Sequence, residues 1–163
     1  MKLLAAILLI FLVQVAAFPQ HSAFDVRYLG GSIETKIEKD EWHNKLIVLT
    51  DEIKIELKDG QTLSIDPKSV KNISYGREAT RHVARWVALG VLFTPIAVVG
   101  LFNENVQHFV SIEYKTSDEK DAGVLIQAHK DNYRQVLAIL RGATGREIQV
   151  EKKNQKLKTP DDL

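Results

Sequence analysis

Three arginines recur at intervals of four residues just before a long uncharged stretch. Arg77, Arg81 and Arg85 would form one stripe along a helix, because residues four apart lie on the same helical face. A guanidinium can bind phosphate oxygens through two parallel N–H bonds, and the next residue, Trp86, is of a type that favours the lipid headgroup layer. The pattern predicts contact with an anionic surface, where each exposed cation contributes on the order of 1 kcal/mol. The alternative is a solvated helix face, with Glu78 as the pairing acid.

The uncharged stretch itself covers residues 86–103. As one straight helix it would be about 27 Å long, which barely crosses a bilayer. Pro95 lacks an N–H and its ring clashes with the preceding turn, so we predict two short helical arms joined near Thr94–Pro95. This apolar helical hairpin is predicted to contact a membrane or a protein partner through five side chains: Val91, Leu92, Phe93, Ile96 and Val98.

Other chemistry-bearing patterns are absent from the sequence. Cysteine is missing, which excludes thiolate metal sites and disulfides, and the five histidines have no paired spacing. There is no nucleophile elbow, phosphate loop or dinucleotide fingerprint. We therefore predict no catalytic residues, no metal site and no cofactor, and a protein that is not an enzyme.

Segment 1–17 has the features of a secretory signal peptide. Lys2 is followed by the apolar run Leu3–Val13, and Val15, Ala16 and Ala17 are small enough for the cleavage site. Cleavage would leave a mature chain that begins at Phe18, and the alternative is an uncleaved anchor. The protein is therefore predicted to be exported to a periplasm, a cell envelope or the exterior, in association with a membrane.

The remaining composition fits one globular domain. Hydrophobic residues make up 45% of the chain, and 22 basic residues balance 21 acidic ones. A neutral chain lacks the basic excess that binding to nucleic-acid phosphates requires, so no nucleic-acid partner is expected. Residues 151–163 are polar and lack a pattern, which predicts a disordered tail.

Alternating apolar residues predict a mainly β protein with one amphipathic helix after the strands. In the helix, Tyr133, Val136, Leu137 and Leu140 share one face, Asp131 is predicted to cap the start and Gly142 to end it. The Asp59-Gly60 pair predicts a hairpin turn. Seven short strands are predicted: within 26–38, and at 45–49, 53–57, 63–65, 70–75, 106–114 and 124–128.

This order of elements resembles the pleckstrin-homology superfold, including its GRAM-like and bacterial relatives. The resemblance rests on the strand run from Ile33 to Tyr75, on VQHFVSIEY and GVLIQAHK, and on the closing helix DNYRQVLAILRG. It implies a seven-stranded barrel or sandwich over residues 25–145, with the apolar helical hairpin inserted at 76–104. The chain also resembles uncharacterised exported bacterial proteins with a hydrophobic insertion before a similar GLF…HF strand.

Members of that superfold bind phosphoinositides, peptides or other proteins. The phosphoinositide-binding members use basic residues between their first two strands. Here Lys39 and Lys45 are offset by Asp40 and Glu41, so the sequence departs from that pattern.

Two strands flank the insertion, and their pairing would fix its path. If 70–75 and 106–114 share a sheet, both ends of the insertion lie on the same side of any membrane. The segment must then dip and return, lie flat, or fold onto the protein. The leading hypothesis is a non-enzymatic exported module that associates with a membrane, a protein partner or a second copy through the hairpin. The alternatives are a soluble carrier of a small apolar ligand with the hairpin as its lid, and a hydrolase without a recognised motif.

Overall fold

A computed structural model describes residues 22–38, 40–76, 79, 86, 94–95 and 108–150. Within these residues the chain is mainly β, with a helix near the C-terminal end, as the alternation predicts. The elements in chain order are β1 (Ser22–Gly31), β2 (Asn44–Val48), β3 (Ile53–Glu56), β4 (Thr62–Ile65), a 3-10 turn (Pro67–Ser69), β5 (Val70–Tyr75), β6 (Thr94–Pro95), β7 (His108–Lys115), β8 (Asp121–Ala128), α1 (Tyr133–Thr144) and β9 (Ile148–Val150).

The seven predicted strands correspond to β1–β5, β7 and β8. The largest difference between the predicted and the observed strands is in the first. It ends at Gly31 instead of continuing through Ile33, Thr35 and Ile37. Gly30 has a φ of 147°, and the pairing with β8 shifts register between Tyr28 and Gly30. Such a bulge bends a strand, and the pairing of β1 with β8 continues for only two residues beyond it.

The prediction was a seven-stranded barrel or sandwich; the strands form one open, mixed sheet and no closed barrel. Eight strands lie in the order β4-β3-β2-β1-β8-β7-β5-β9, and β6 pairs with β1 outside this path. All pairings are antiparallel except that of β9 with β5. Asp66 caps the 3-10 turn by accepting from the N–H of Lys68, and Pro67 follows it, so the chain turns a corner between β4 and β5. These two strands do not pair, and the sheet stays open between them.

The main core lies on one face of this sheet, under α1. Val136 and Leu140 on the helix are fully buried against apolar side chains of β1–β5, β7 and β8. On β7 the core side chains are Val110, Ile112 and Tyr114, so period-two alternation places Phe109 and Ser111 on the opposite face. We call that opposite face the outer face.

Both predicted helix limits are wrong by a few residues. Asn132 and not Asp131 holds the N-cap position, and Asp131 lies beside the ring of His129 with Oδ2 3.1 Å from Nδ1. At the other end, α1 continues through Gly142 to Thr144, and Gly145 ends it with a φ of 65°. The apolar face needs the extra turn, and the next glycine supplies the left-handed cap.

Candidate interaction site around the insertion

The two ends of the insertion lie side by side in the sheet. β5 and β7 pair antiparallel, with Tyr75 opposite Val110. The hydroxyl of Tyr75 lies 2.7 Å from Nδ1 of His108, the first residue of β7. A single membrane crossing would separate these ends, whereas the observed pairing holds them together in one sheet.

Three aromatic rings stack where the end of β5 meets the start of β7. We call this place the neck of the insertion. The ring of His108 lies parallel to that of Tyr133 at 3.8 Å between centroids, and the ring of Tyr75 is nearly parallel to both, at 6.1 Å from His108 and 5.7 Å from Tyr133. Arg134 contacts the outer end of one of these rings: its Nε donates to the hydroxyl of Tyr133 at 3.0 Å. The ring of His108 is therefore held by one hydrogen bond and by stacking.

Burial shifts the pKa values of two residues of the stack, His108 and Tyr75. It lowers the pKa of His108, because desolvation disfavours the imidazolium, and the charge of nearby His129 acts in the same direction. Burial also raises the pKa of Tyr75. Both groups are therefore favoured in their neutral forms at neutral pH, in which the Tyr75 hydroxyl can donate to His108.

Two residues of the insertion, Ala79 and Trp86, pack on the outer face of the sheet. Ala79 and Trp86 have helical backbone and are buried, with 2% of Trp86 exposed. They form a second apolar cluster with Leu29 of β1, Phe109 of β7 and Leu125 of β8. Burial of an aromatic side chain of this size is a large hydrophobic contribution, which fixes the start of the apolar stretch to the sheet.

Gly123 provides the space that Trp86 occupies. A Cβ built on Gly123 would lie 2.5 Å from Cζ3 and 2.6 Å from Cε3 of the indole. Only glycine therefore allows the ring to lie this close to β8. No local pattern singles out this glycine, because its partner is 37 positions away in the chain.

The centre of the apolar stretch also contacts the sheet. Thr94 and Pro95 pair antiparallel with Gly31 and Gly30 of β1, beyond Val26, where the pairing with β2 ends. The sequence predicted that Thr94–Pro95 would be the turn between two helical arms; these two residues instead have extended backbone that pairs with β1, and most of the two arms lies outside the described residues. The free edge of β1 offers backbone groups there, and pairing with it satisfies an extended segment.

Most of the predicted contact residues lie outside the described residues. These are Arg77, Arg81, Arg85, Val91, Leu92, Phe93, Ile96 and Val98, and their membrane or partner contact stays a prediction. Trp86 is the exception, and its burial against the sheet differs from the predicted position in a headgroup layer. The predicted signal peptide, 1–17, and the predicted tail, 151–163, also lie outside the described residues.

A second aromatic site lies on the outer face, around Trp42 in the β1–β2 loop. The guanidinium of Arg27 is 4.5 Å from the ring centre of Trp42, and Arg27 also donates to Oε1 of Gln127 at 3.3 Å. The ring of His129 meets Trp42 edge-on at 5.3 Å. Trp42 is half-buried, so it packs on the sheet as a turn tryptophan commonly does.

Neither a metal site nor a membrane-spanning helix is found in the part of the chain that the structure describes. Its His, Asp and Glu residues form no group of three that could hold a metal ion. Its helices are too short or too polar to cross a bilayer.

Comparisons with known proteins add little to this geometry. No family model matches the chain, and no curated protein matches it. One similar solved structure is "Structure of the Spt16D Pob3N heterodimer", with 10% identity and a TM-score of 0.45. The match covers 85% of this chain and 58% of that one. Because the TM-score is below 0.5, no property of that heterodimer is carried over.

Proposed function

We propose that the protein is a non-enzymatic, exported interaction module of pleckstrin-homology-like architecture that associates with a membrane surface through its apolar insertion. The order of strands followed by a helix across the core supports the architecture. The single observation that carries the function is the path of the insertion, whose two ends meet at Tyr75 and His108. A segment with adjacent ends can touch a membrane and return without crossing it.

The anchoring of the insertion supports this proposal. Trp86 and Thr94–Pro95 attach two points of the uncharged stretch to the sheet. A contact surface that is fixed at several points loses less conformational entropy on binding than a free loop. The arginine stripe before Trp86 would add electrostatic attraction to anionic lipids.

Liposome co-sedimentation of residues 18–163 tests the proposal. We expect the protein to pellet with anionic vesicles and to remain pelleted at high salt, because apolar insertion is not screened by ions. Replacing Leu92 and Ile96 with aspartate should abolish the salt-resistant part. Val150→Asp is the matched control, since it adds a charge at a 55% exposed apolar residue on β9.

The arginines are tested separately in the same assay. Substituting Arg77, Arg81 and Arg85 together with glutamine should remove only the salt-sensitive fraction of the binding. Protein that stays in the supernatant at both salt concentrations would contradict membrane association. Self-association in sedimentation velocity, lost in the Leu92 and Ile96 variant, would indicate a second copy as the partner.

The second candidate function is a soluble carrier of a small apolar ligand. The return of Trp86 and Thr94–Pro95 to the sheet favours it, because a lid must contact the body that it closes. Lipid extracted from purified protein that does not pellet with vesicles would support the carrier and exclude the membrane contact.

A further inference from the structure

The open side of the sheet forms a cleft that shares no lining residue with the Trp86 cluster. The cleft has a volume of about 990 Å³, at the upper end of the range for ligand sites. All four residues of β4 line it, together with residues of the 3-10 turn, β5 and the β7–β8 hairpin. It is therefore the gap that an additional strand would have to fill to extend the sheet beyond β4.

The backbone of β4 presents hydrogen-bonding groups to this cleft. The N–H of Leu57 donates to the carbonyl of Gln61 at 2.8 Å, which makes this a hydrogen-bonded pair. Hydrogen-bonded pairs alternate along an antiparallel ladder. The backbone N–H and C=O groups of Leu63 and Ile65 therefore bond to β3, while those of Thr62 and Ser64 point away from β3. Among the described residues no strand pairs with that outward edge.

The pairing of β3 with β2 confirms this assignment. The N–H of Leu49 donates to the carbonyl of Glu52 at 2.7 Å. The backbone N–H and C=O groups of the alternate residues Glu52, Lys54 and Glu56 therefore point toward β2. The backbone N–H and C=O groups of Ile53 and Ile55 must then point toward β4. Two independent turns therefore assign the N–H and C=O groups of Thr62 and Ser64 to the free edge.

Four basic and two acidic side chains line the cleft: Lys68, Lys71, Lys115 and Arg146, with Asp66 and Glu119. Two of the cations pair with acids outside the cleft. Asp121 lies 3.0 Å from Lys71 and 3.3 Å from Lys115, and Glu113 lies 3.9 Å from Lys71. Lys68 and Arg146 have no acidic partner among the described residues, and Nε of Arg146 donates to the carbonyl of Val70 at 2.8 Å.

Apolar and aromatic groups form the rest of the wall. Ile33, Leu63 and Tyr114 line the cleft, and the hydroxyl of Tyr114 is 2.5 Å from that of Ser32. The hydroxyl of Tyr28 donates to the carbonyl of Ile33 at 3.0 Å, which holds the start of the β1–β2 loop in place. The cleft thus combines a backbone edge, an apolar wall and two cations, Lys68 and Arg146, that form no ion pair among the described residues.

We infer that this cleft binds an extended, acidic peptide segment of another protein, which adds as a strand to the free edge of β4. Backbone hydrogen bonds to Thr62 and Ser64 supply affinity, and carboxylates near Lys68 and Arg146 supply charge complementarity. A second copy of this chain fits the cleft less well, because it would bring a second set of cations to the same place. This inference uses a different surface from the insertion and stands or falls independently of the proposed membrane contact.

Fluorescence polarisation with a labelled eight-residue peptide of alternating valine and aspartate tests the inference on the purified chain. We expect saturable binding whose affinity falls as the salt concentration rises. The Kd of the peptide with lysine in place of aspartate should be at least about tenfold higher, which corresponds to about 1.4 kcal/mol of binding free energy. Equal binding of the two peptides would overturn the charge complementarity.

The backbone contribution is tested with Ser64→Pro and its matched control Ser64→Ala. Proline removes the outward N–H, which an edge strand tolerates, whereas alanine keeps it. We expect Ser64→Pro to weaken binding about tenfold through the lost bond and strand contact, and Ser64→Ala to leave it unchanged. Equal effects of the two substitutions would overturn strand addition.

Two further measurements keep the test decisive if Ser64→Pro fails to fold. A peptide methylated on alternate backbone nitrogens loses its donors without any change to the protein, so one of its two methylation registers should abolish binding. The amide NMR signals of Thr62 and Ser64 should shift on titration. Unchanged signals, or a dimer of the free chain that Ser64→Pro disrupts, would overturn the assignment of the cleft to an acidic peptide.

Discussion

At the residue scale, Gly123 decides whether the insertion can reach the sheet. The indole of Trp86 occupies the position where any other residue would place a Cβ. The flanking residues Ala122 and Val124 point to the opposite face and belong to the main core. One missing side chain on β8 thus makes room for the largest side chain of the insertion.

We predict that Gly123→Ala displaces Trp86 and lowers the free energy of unfolding by about 1–3 kcal/mol, the usual cost of overpacking. In a Trp42→Phe background, the emission of Trp86 should shift to the red as the ring becomes hydrated. Gly142→Ala is the control, because a Cβ at this position of α1 meets no atom within 4 Å. That substitution should stabilise the protein by about 0.5–1 kcal/mol. Unchanged emission in Gly123→Ala would show that the indole does not lie on β8.

At the scale of the elements, the aromatic stack joins β5, β7 and α1 where the insertion begins and ends. Tyr75 and His108 belong to paired strands, and Tyr133 is the first residue of the helix. Each ring contributes part of its surface to the core and part to solvent. The neck of the insertion is therefore held by side chains as well as by the β5–β7 ladder.

The lowered pKa of His108 predicts a loss of stability in acid. The unfolded chain takes up a proton on this residue as the pH falls through 6.5, whereas the folded chain takes it up only at lower pH. The contribution is thus present above pH 6.5 and is lost as the pH falls through the folded pKa. Urea titrations between pH 8 and pH 5 should show this decrease, which His108→Phe should reduce while keeping the ring stack. His43→Phe, at a histidine whose side chain is 78% exposed, is the control. Equal pH dependence of His108→Phe and the unchanged protein would contradict the assignment.

At the scale of the whole molecule, the sheet has two apolar faces. One carries the main core under α1, and the other carries the smaller cluster of Leu29, Phe109 and Leu125 under Trp86. Ser74 and Ser111, opposite each other on β5 and β7, are buried on that outer face as well. The insertion is thus part of the folded body at its anchoring points.

We predict that Trp86→Ala lowers the free energy of unfolding by about 3–5 kcal/mol, as expected for a buried tryptophan. Because the anchor lies on the central strands, the loss should appear in one cooperative transition followed by circular dichroism. Trp42→Ala should cost less, since that ring is only half-buried. A small effect of Trp86→Ala, equal to that of Trp42→Ala, would contradict an insertion that folds with the sheet.

The sequence by itself determined the mainly β class, most of the strands and the existence of the helix. These follow from local periodicity, because burial of one strand face imposes a period of two and burial of one helix face a period of 3.6. The sequence also identified the insertion, since its uncharged stretch interrupts that periodicity between two strands.

Only the tertiary structure decided where the insertion lies and that the sheet stays open. The contact of Trp86 with Gly123 joins residues whose local patterns carry no sign of each other. The pairing of Thr94–Pro95 with the β1 edge depends on where β2 ends, and the cleft beside β4 depends on the corner at Asp66 and Pro67. Such features follow from the relative positions of distant elements, and the periodicity of a single segment contains no information about those positions.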